Sequence, residues 1–303
     1  VLRSIFQTDA WAAFKEQFGW RAYNYEGLIG LERVLGFNKR LLYFPELPLD
    51  ERSLALIGQL RHEKPTATRI FTRFEFLELW THDKAKTLLE AGLIRSFEDV
   101  QPDYRQWIVL DKTEEELLKA MKPKGRYNLR VAERKNLTVE WGTTPELVEQ
   151  FYALYQQTAK RTGFQGRNQA YFQAMVQQLA THSLGQVLVV RHQDEVVSAA
   201  IVSFFGGVAS YLYGGSGGDR SLMAPYLMHW EAIKRAKKEG CVVYDLLAIA
   251  PPEAAEHVHA GLTRFKTQFG GESVRLLGSW DLVHNRFWYT LYRFVETKRR
   301  RAI

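Results

Sequence analysis

Between residues 187 and 247 the pattern of apolar and polar positions changes period in a fixed order. Val187-Leu188-Val189-Val190 reads as a strand, and His192-Gln193-Asp194-Glu195 as a polar turn. Val196 to Phe205 is a second strand, rich in β-branched and aromatic residues. Gly206-Gly207 turns the chain, and Val208 to Tyr213 makes a third strand. After the glycine-rich Gly214-Gly215-Ser216-Gly217-Gly218 the period becomes helical, with Met223, Leu227, Trp230 and Ile233 at three- and four-residue spacing. The helix ends on Lys234, Arg235, Lys237 and Lys238, cations that suit the negative end of its dipole, and Gly240 stops it. Val242 to Leu247 is a fourth strand.

Upstream, Pro145 to Thr162 and Asn168 to His182 read as two helices. Two helices, three antiparallel strands, a helix and a returning strand resemble the order of the GNAT acyltransferase fold, an α/β (α+β) class. The first hundred residues are patterned less clearly. Phe6 to Phe18 and His82 to Gly92 read as helices, and Ile70 to Phe76 as a strand. Gln106 to Leu110 begins a new strand, and the polar break Gln101-Pro102-Asp103 suggests a boundary near Asp103. Phe287 to Val295 is an aromatic helix running into Lys298-Arg299-Arg300-Arg301. No internal repeat is visible.

Composition changes this picture only at the edges. The chain has 303 residues, 46% hydrophobic and 25% charged, as a globular protein with a sizeable core has. Val196 to Gly218 is long and uncharged, but Gly206-Gly207 divides it and its flanks alternate as strands do, so it reads as a buried hairpin rather than a membrane span. The first twenty residues show Arg3, Asp9, Lys15 and Glu16 and no sustained apolar core, so no secretion signal is expected. The single cysteine, Cys241, excludes an internal disulfide and fits a reducing cytoplasm. The net charge of +7 favours polyanionic partners (RNA, nucleotides or an anionic membrane surface), although an unspecialised basic surface explains it as well.

Candidate chemistry centres on Gly261-Leu262-Thr263-Arg264-Phe265-Lys266-Thr267-Gln268-Phe269-Gly270-Gly271, which sets Lys266 among aromatics beside Arg264. Such a lysine suits a phosphate or an oxyanion; read alone, it is equally a surface lysine on an amphipathic strand. Lys119 to Lys135 holds seven basic residues and one acid, Glu133. Arg126, Arg130 and Arg134 would line one helical face, either as a stripe for a nucleic-acid backbone or as an ordinary solvated face. Tyr211 and Tyr213 alternate with Leu212, which predicts both phenols on one side of a strand, free to meet a ligand or to pack as strand aromatics. Arg167 and Tyr171 are one helical turn apart near a helix start, which suits phosphate recognition. Glu75, on a strand in Arg73-Phe74-Glu75, either takes a proton from an amine or pairs with a neighbouring arginine. The eight histidines show no metal-ligand spacing, and His257 and His259 read as solvated. Gly214 to Gly218 lacks the Arg/Gln-x-x-Gly-x-Gly/Ala pattern of a coenzyme A pyrophosphate loop, so coenzyme A is not favoured. No Gly-x-Ser-x-Gly elbow or Walker loop is present.

Taken in order, seven segments resemble the Fem family of aminoacyl-tRNA-dependent peptidyltransferases, which build peptidoglycan cross-bridges. They are Phe6 to Trp11 with Phe14-Lys15, Met121 to Arg130, Gly163-Phe164 with Arg167 and Tyr171, Tyr211 to Ser216, Ala224 to Leu227 with Trp230 to Ile233, Tyr244-Asp245, and Gly261 to Gly271. The resemblance implies two GNAT-like domains, 1–105 with 280–303 (reduced) and 106–279, the C-terminal helix returning to the first. It implies transfer of an amino acid from its tRNA ester to an amine of the precursor stem peptide, with aminoacyl-tRNA as co-substrate and no other cofactor. Lys15, Arg167, Tyr171, Tyr211 and Tyr213 match positions that hold the UDP-linked muramyl precursor. Phe265 and Lys266 match the family's Phe-Lys pair at the phosphates and reaction centre, and Glu75 stands near an acidic position. Lys122, Lys124, Arg126, Arg130 and Arg134 would take the tRNA acceptor arm. The acceptor is the nucleotide-linked or the lipid-linked muramyl peptide, and the enzyme is expected as a cytoplasmic monomer, peripheral on the inner membrane face. Pro45-Glu46-Leu47-Pro48 replaces a family Arg-Gly-Pro, Leu246-Leu247-Ala248 stands where glycines are common, and the coiled-coil arm of staphylococcal members is missing at Arg191 to Val196. Two rivals are a Fem-like acyltransferase acting outside peptidoglycan, with a coenzyme A or carrier-protein donor, and a non-catalytic RNA-binding protein.

Overall fold

The computed structural model describes residues 2–63, 68–254 and 260–301; His257 and His259 lie outside them. It is a mixed α/β protein of two compact units, Phe6–Asp103 with Arg275–Ile303 and Val1–Ile5 with Tyr104–Val274.

The first unit opens with helix α1 (Asp9–Glu16), capped by the Thr8 side chain on the Trp11 amide. Strands β1 (Arg21–Tyr25), β2 (Leu28–Gly36) and β3 (Lys39–Leu47) form an antiparallel meander. Helix α2 (Glu51–His62) starts in a capping box between Asp50 and Ser53 and buries Leu56, Ile57 and Leu60. Strand β4 (Arg69–Leu79) then returns parallel to β3. Helix α3 (His82–Glu90) and the short strand β5 (Ile94–Arg95) follow. The core is aromatic, with Phe44 stacked on Phe74 at 5.2 Å and Leu60, Leu88 and Trp280 around them.

The second unit begins with β6 (Tyr104–Val109), α4 (Glu114–Ala120), α5 (Pro123–Glu133) and β7 (Leu137–Gly142). Helices α6 (Pro145–Thr162) and α7 (Gln169–Thr181) precede a meander of β8 (Gly185–His192), β9 (Glu195–Phe205) and β10 (Val208–Ser216). Helix α8 (Ala224–Lys238) leads to β11 (Val243–Ala248), which pairs parallel with β10 and antiparallel with β6. Helix α9 (Ala260–Lys266) follows. Strand β12 (Glu272–Val283) carries the chain back to the first unit, where it pairs antiparallel with β4 and β5, and α10 (Arg286–Arg301) closes the chain.

Each unit thus repeats one order, three antiparallel strands, a helix and a parallel return strand, which is the order expected for the second half. The repeat invisible in the residues is present in the topology. The C-terminal helix is tied to the first unit through buried charge. Arg73 pairs with both oxygens of Asp281 at 2.7 and 2.9 Å and with Glu98 at 2.5 Å. From α10, the Tyr289 and Tyr292 hydroxyls donate to Asp281 at 2.7 Å and to Glu98 at 3.0 Å.

Two expectations of detail are corrected. The segment around Lys266 is a helix followed by a 3-10 turn (Thr267–Phe269), not a strand. Gly214, Gly215 and Ser216 continue strand β10 rather than forming a loop. These glycines are needed for close approach: a Cβ on Gly215 would stand 2.7 Å from the backbone carbonyl carbon of Leu154 in α6.

Candidate functional site

Lys266, the last residue of α9, is 3% exposed. Phe265 and Phe269 flank it in sequence and pack on α8: Phe265 lies 5.2 Å from Tyr226 and 5.5 Å from His229, and Phe269 lies 4.9 Å from His229. The Lys266 ammonium is left on the inner side, where it donates to the Ala248 carbonyl at 2.8 Å. Asp245, whose negative charge acts on it, is already engaged by Arg105 at 2.9 Å, and both are buried. Burial, assisted by the Arg105 charge and opposed by Asp245, pulls the Lys266 pKa down to about 7.

The acceptor of this hydrogen bond is set by an irregularity in β11. The register against β6 slips between Asp245 and Ala248, and Leu247 takes a left-handed backbone with φ of 56°. For a leucine that conformation costs about 1–2 kcal/mol; the Leu247 amide is held there by Asp245 Oδ1 at 2.7 Å. A glycine would adopt the same turn without strain, which explains why glycine suits this place in the chain.

Tyr211 faces Lys266, whose Nζ lies 6.0 Å from its ring centroid, and packs 4.7 Å from His229. Burial pushes the Tyr211 phenol up to about 12. His229 shares a 2.9 Å hydrogen bond between Nδ1 and the Tyr244 hydroxyl. Burial, and then the Lys266 charge, press its pKa down to about 3, so the imidazole is neutral. Sequence reasoning missed His229, because a lone histidine on an apolar helix carries no spacing signal.

Tyr213 is on the other face of β10, against the prediction from alternation. A β-bulge between Tyr211 and Tyr213 sets Tyr211 opposite Val202 and Tyr213 opposite Ile201, shifting the parity by one. Tyr213 packs on α6 and α7, 5.0 Å from Phe172 and 6.1 Å from Tyr155, and its hydroxyl is 3.4 Å from that of Tyr171. Arg167 is exposed, with its guanidinium carbon 5.1 Å over the Tyr171 ring and its amide donating to the Tyr155 hydroxyl at 3.2 Å. The second unit therefore holds two clusters: Lys266, Phe265, Tyr211 and His229 on the α8 face, and Arg167, Tyr171 and Tyr213 on the α6–α7 face.

Lys15 and Glu75 belong to the first unit, where one chain of contacts joins them. The Lys15 ammonium lies 5.2 Å over the Trp20 ring, Trp20 is 6.2 Å from Tyr43, and the Tyr43 hydroxyl donates to Glu75. Glu75 is buried and also accepts from the Val100 and Gln101 amides at 2.8 and 2.9 Å and from Ser279 Oγ at 2.5 Å. Desolvation nevertheless raises its pKa above the usual carboxylate range. No arginine pairs with it in these contacts; the neighbouring Arg73 is turned to Asp281 and Glu98.

The basic run divides between α4, α5 and the residues after it. Lys122, Lys124, Arg130 and Arg134 are exposed, but Lys122 donates to Thr267 Oγ1 at 3.1 Å. Arg126 departs from the expected stripe: it folds back to donate to the Lys119 carbonyl at 2.8 Å and to the Met121 carbonyl, closing the end of α4. Lys112 and Lys122 also border a cavity of about 390 Å³ with Gln106, Thr267 and Gly270 in its wall; Lys266 does not line it. Among the described residues no group of three or more His, Cys, Asp or Glu side chains is placed to hold a metal ion.

Residues 123–266 match the model of the acetyltransferase (GNAT) domain. A lipid II:glycine glycyltransferase of Staphylococcus epidermidis is 22% identical over 269 residues, covering 68% of this chain and 63% of that protein. The crystal structure of FemX superposes with a TM-score of 0.84 at 20% identity, over 96% of this chain and 94% of that one. The chain shares the fold of FemX and is similar in sequence to the staphylococcal glycyltransferases. It spans less than two thirds of the length of the Staphylococcus epidermidis relative. The fold is shared more widely: the C-terminal domain of a putative lysylphosphatidylglycerol synthetase from Agrobacterium fabrum matches with a TM-score of 0.61 at 13% identity.

Proposed function

We propose that this protein is a Fem-type aminoacyltransferase that moves an amino acid from aminoacyl-tRNA to an amine on the stem peptide of a muramyl-peptide precursor, in cell-wall cross-bridge synthesis. The observation that carries the reading is Lys266, taken almost wholly out of water beside Tyr211 with a pKa near 7. A lysine so held costs the fold stability, and it gains a proton readily when an anion enters. The relatives named lipid II:glycine glycyltransferase support cross-bridge chemistry and favour a lipid-linked acceptor over the nucleotide-linked one.

The reaction is aminolysis of an ester. The acceptor amine, with an intrinsic pKa of about 10.4, loses a proton and attacks the ester carbonyl carbon. A tetrahedral oxyanion forms, the carbon–nitrogen bond is kept, the carbon–oxygen bond to the tRNA ribose breaks, and the ribose hydroxyl leaves with a proton. Lys266 supplies positive charge at the precursor phosphates or the oxyanion, and Phe265 fixes its backbone against α8. Arg167, Tyr171, Tyr213, Tyr211 and Lys15 hold the precursor. Lys122, Lys124, Arg130 and Arg134 meet the tRNA backbone, with Arg126 supporting the turn that presents them. Glu75 or the substrate itself carries the proton; for that role Glu75 must release one of its four donors. No cofactor beyond aminoacyl-tRNA is required, and a monomer at the cytoplasmic face of the membrane suffices.

The test is to incubate the protein with mixed aminoacyl-tRNAs and both precursors and to weigh the products. Lys266→Ala should lower transfer by about a hundredfold or more, and ribonuclease treatment should abolish it. Full transfer by Lys266→Ala removes the lysine from the mechanism, and transfer that survives ribonuclease removes tRNA as the donor.

A further inference from the structure

Helix α10 has two apolar faces, and only one is used by the fold. Its inner face is fixed by Tyr289, 4% exposed, and Tyr292, whose hydroxyls donate to the buried carboxylates Asp281 and Glu98. The helix cannot roll to hide its outer face without stripping donors from those carboxylates, which is costly in a dry interior. On the outer face Phe287, Leu291, Phe294 and Val295 recur at spacings of four, three and one, a single arc of the helix, and are 72, 40, 57 and 52% exposed. The turn between β2 and β3 extends the patch. Phe37 is 87% exposed, and its ring is 6.1 Å from that of Trp288 at the start of α10.

The charge around this patch has one sign. Residues 286–301 contain six basic residues and one acid, Glu296, which is paired with Arg299 at 2.8 Å. Lys298 holds its ammonium 4.4 Å over the Phe294 ring, and Lys39 covers Trp288 at 4.8 Å. No helix among the described residues is long and apolar enough to cross a membrane.

We propose that the outer face of α10, together with Phe37, seats the protein on the surface of an anionic phospholipid bilayer. An exposed arc of phenylalanine, leucine and valine edged by arginine and lysine is the pattern of a helix lying in the interfacial plane. Aromatic rings suit headgroup depth, long basic stems reach from the apolar boundary to lipid phosphates, and the net positive charge is complementary to an anionic leaflet. The proposal goes beyond the transfer reaction and does not depend on it, because attachment is measured without substrates.

The experiment is co-sedimentation of the full chain with vesicles of phosphatidylcholine and phosphatidylglycerol, against vesicles of phosphatidylcholine alone. Binding should require the anionic lipid and weaken as salt is raised. Phe287→Glu with Phe294→Glu should weaken vesicle binding by about tenfold or more while leaving the far-ultraviolet circular dichroism unchanged. Lys39→Glu with Lys298→Glu, which leaves the apolar arc intact, should lose the anionic preference. The proposal is overturned if the native protein ignores anionic vesicles, or if the phenylalanine variant folds and binds as well. It is also overturned if that variant only converts a dimer to a monomer, since the arc then faces a second copy of the chain.

Discussion

At the scale of single residues, the molecule holds a lysine where a neutral side chain would be more stable. The sign of the pH dependence follows from its lowered pKa. Below pH 7 Lys266 is protonated in folded and unfolded chains alike, and the full cost of burying the charge is present. Between about 7 and its ordinary value of 10.5 the unfolded chain carries a proton that the folded chain lacks. Over that window the lysine's contribution to stability rises by about 1.4 kcal/mol per pH unit. Lys266→Met should remove this slope and raise the melting temperature most at pH 6 to 7, as removal of a strained functional group does. Urea unfolding of both proteins from pH 6 to about 10 checks it, and parallel curves would show that the lysine is not neutralised on folding. The same titration predicts that affinity for a muramyl diphosphate falls as pH rises above about 7 in the native protein and stays flat in the variant. The lysine itself was legible from its setting between aromatics. Its burial was not, because Tyr211, His229, Asp245 and Arg105 reach it from distant parts of the chain.

At the scale of elements, period-two alternation gave the strands of the second unit but misjudged the tyrosines. A bulge is a backbone event, and Leu212 carries no residue-type signal for it, so Tyr211 and Tyr213 part company across the sheet. The glycines after them were read as a loop because glycine marks turns, whereas here it marks the approach of α6 to β10. That difference is measurable. Gly215→Ala puts a methyl within 2.7 to 2.9 Å of the Leu154 and Tyr155 backbone and must push α6 away, at a cost of about 1–3 kcal/mol. Gly58→Ala, in α2 with nothing within 4 Å of the new methyl, should instead stabilise by about 0.5–1 kcal/mol. Thermal unfolding of the pair checks the contrast; a tolerated Gly215→Ala would mean that the helix has room to move. In the first unit, β3 escaped notice because Leu41 to Leu47 are all buried, so no alternation survives to mark the strand.

At the scale of the whole molecule, two units share one strand-helix-strand order with no repeat visible in their residues, so topology rather than composition relates them. Charge is distributed unevenly over this frame. Lys124, Arg130 and Arg134 are exposed cations, while Lys266 and the Arg105–Asp245 pair are sealed from solvent. Exposed cations bind a nucleic-acid backbone by releasing its counterions, so each phosphate contact contributes about 0.7–0.9 to the slope of log affinity against log salt. Buried charge is screened much less. If α5 and its end carry the acceptor arm, substituting Lys124, Arg130 and Arg134 together by alanine should lower the salt slope of tRNA binding by about 2 to 3. The same variant should bind a muramyl nucleotide as the native protein does, because Lys266 and Arg167 are untouched. Fluorescence anisotropy over a potassium chloride series, with a labelled acceptor stem and a labelled precursor, separates the two. An unchanged tRNA slope would move the nucleic-acid surface elsewhere on the chain, and a parallel loss of precursor binding would show that the basic residues act on the whole molecule's field rather than on one ligand.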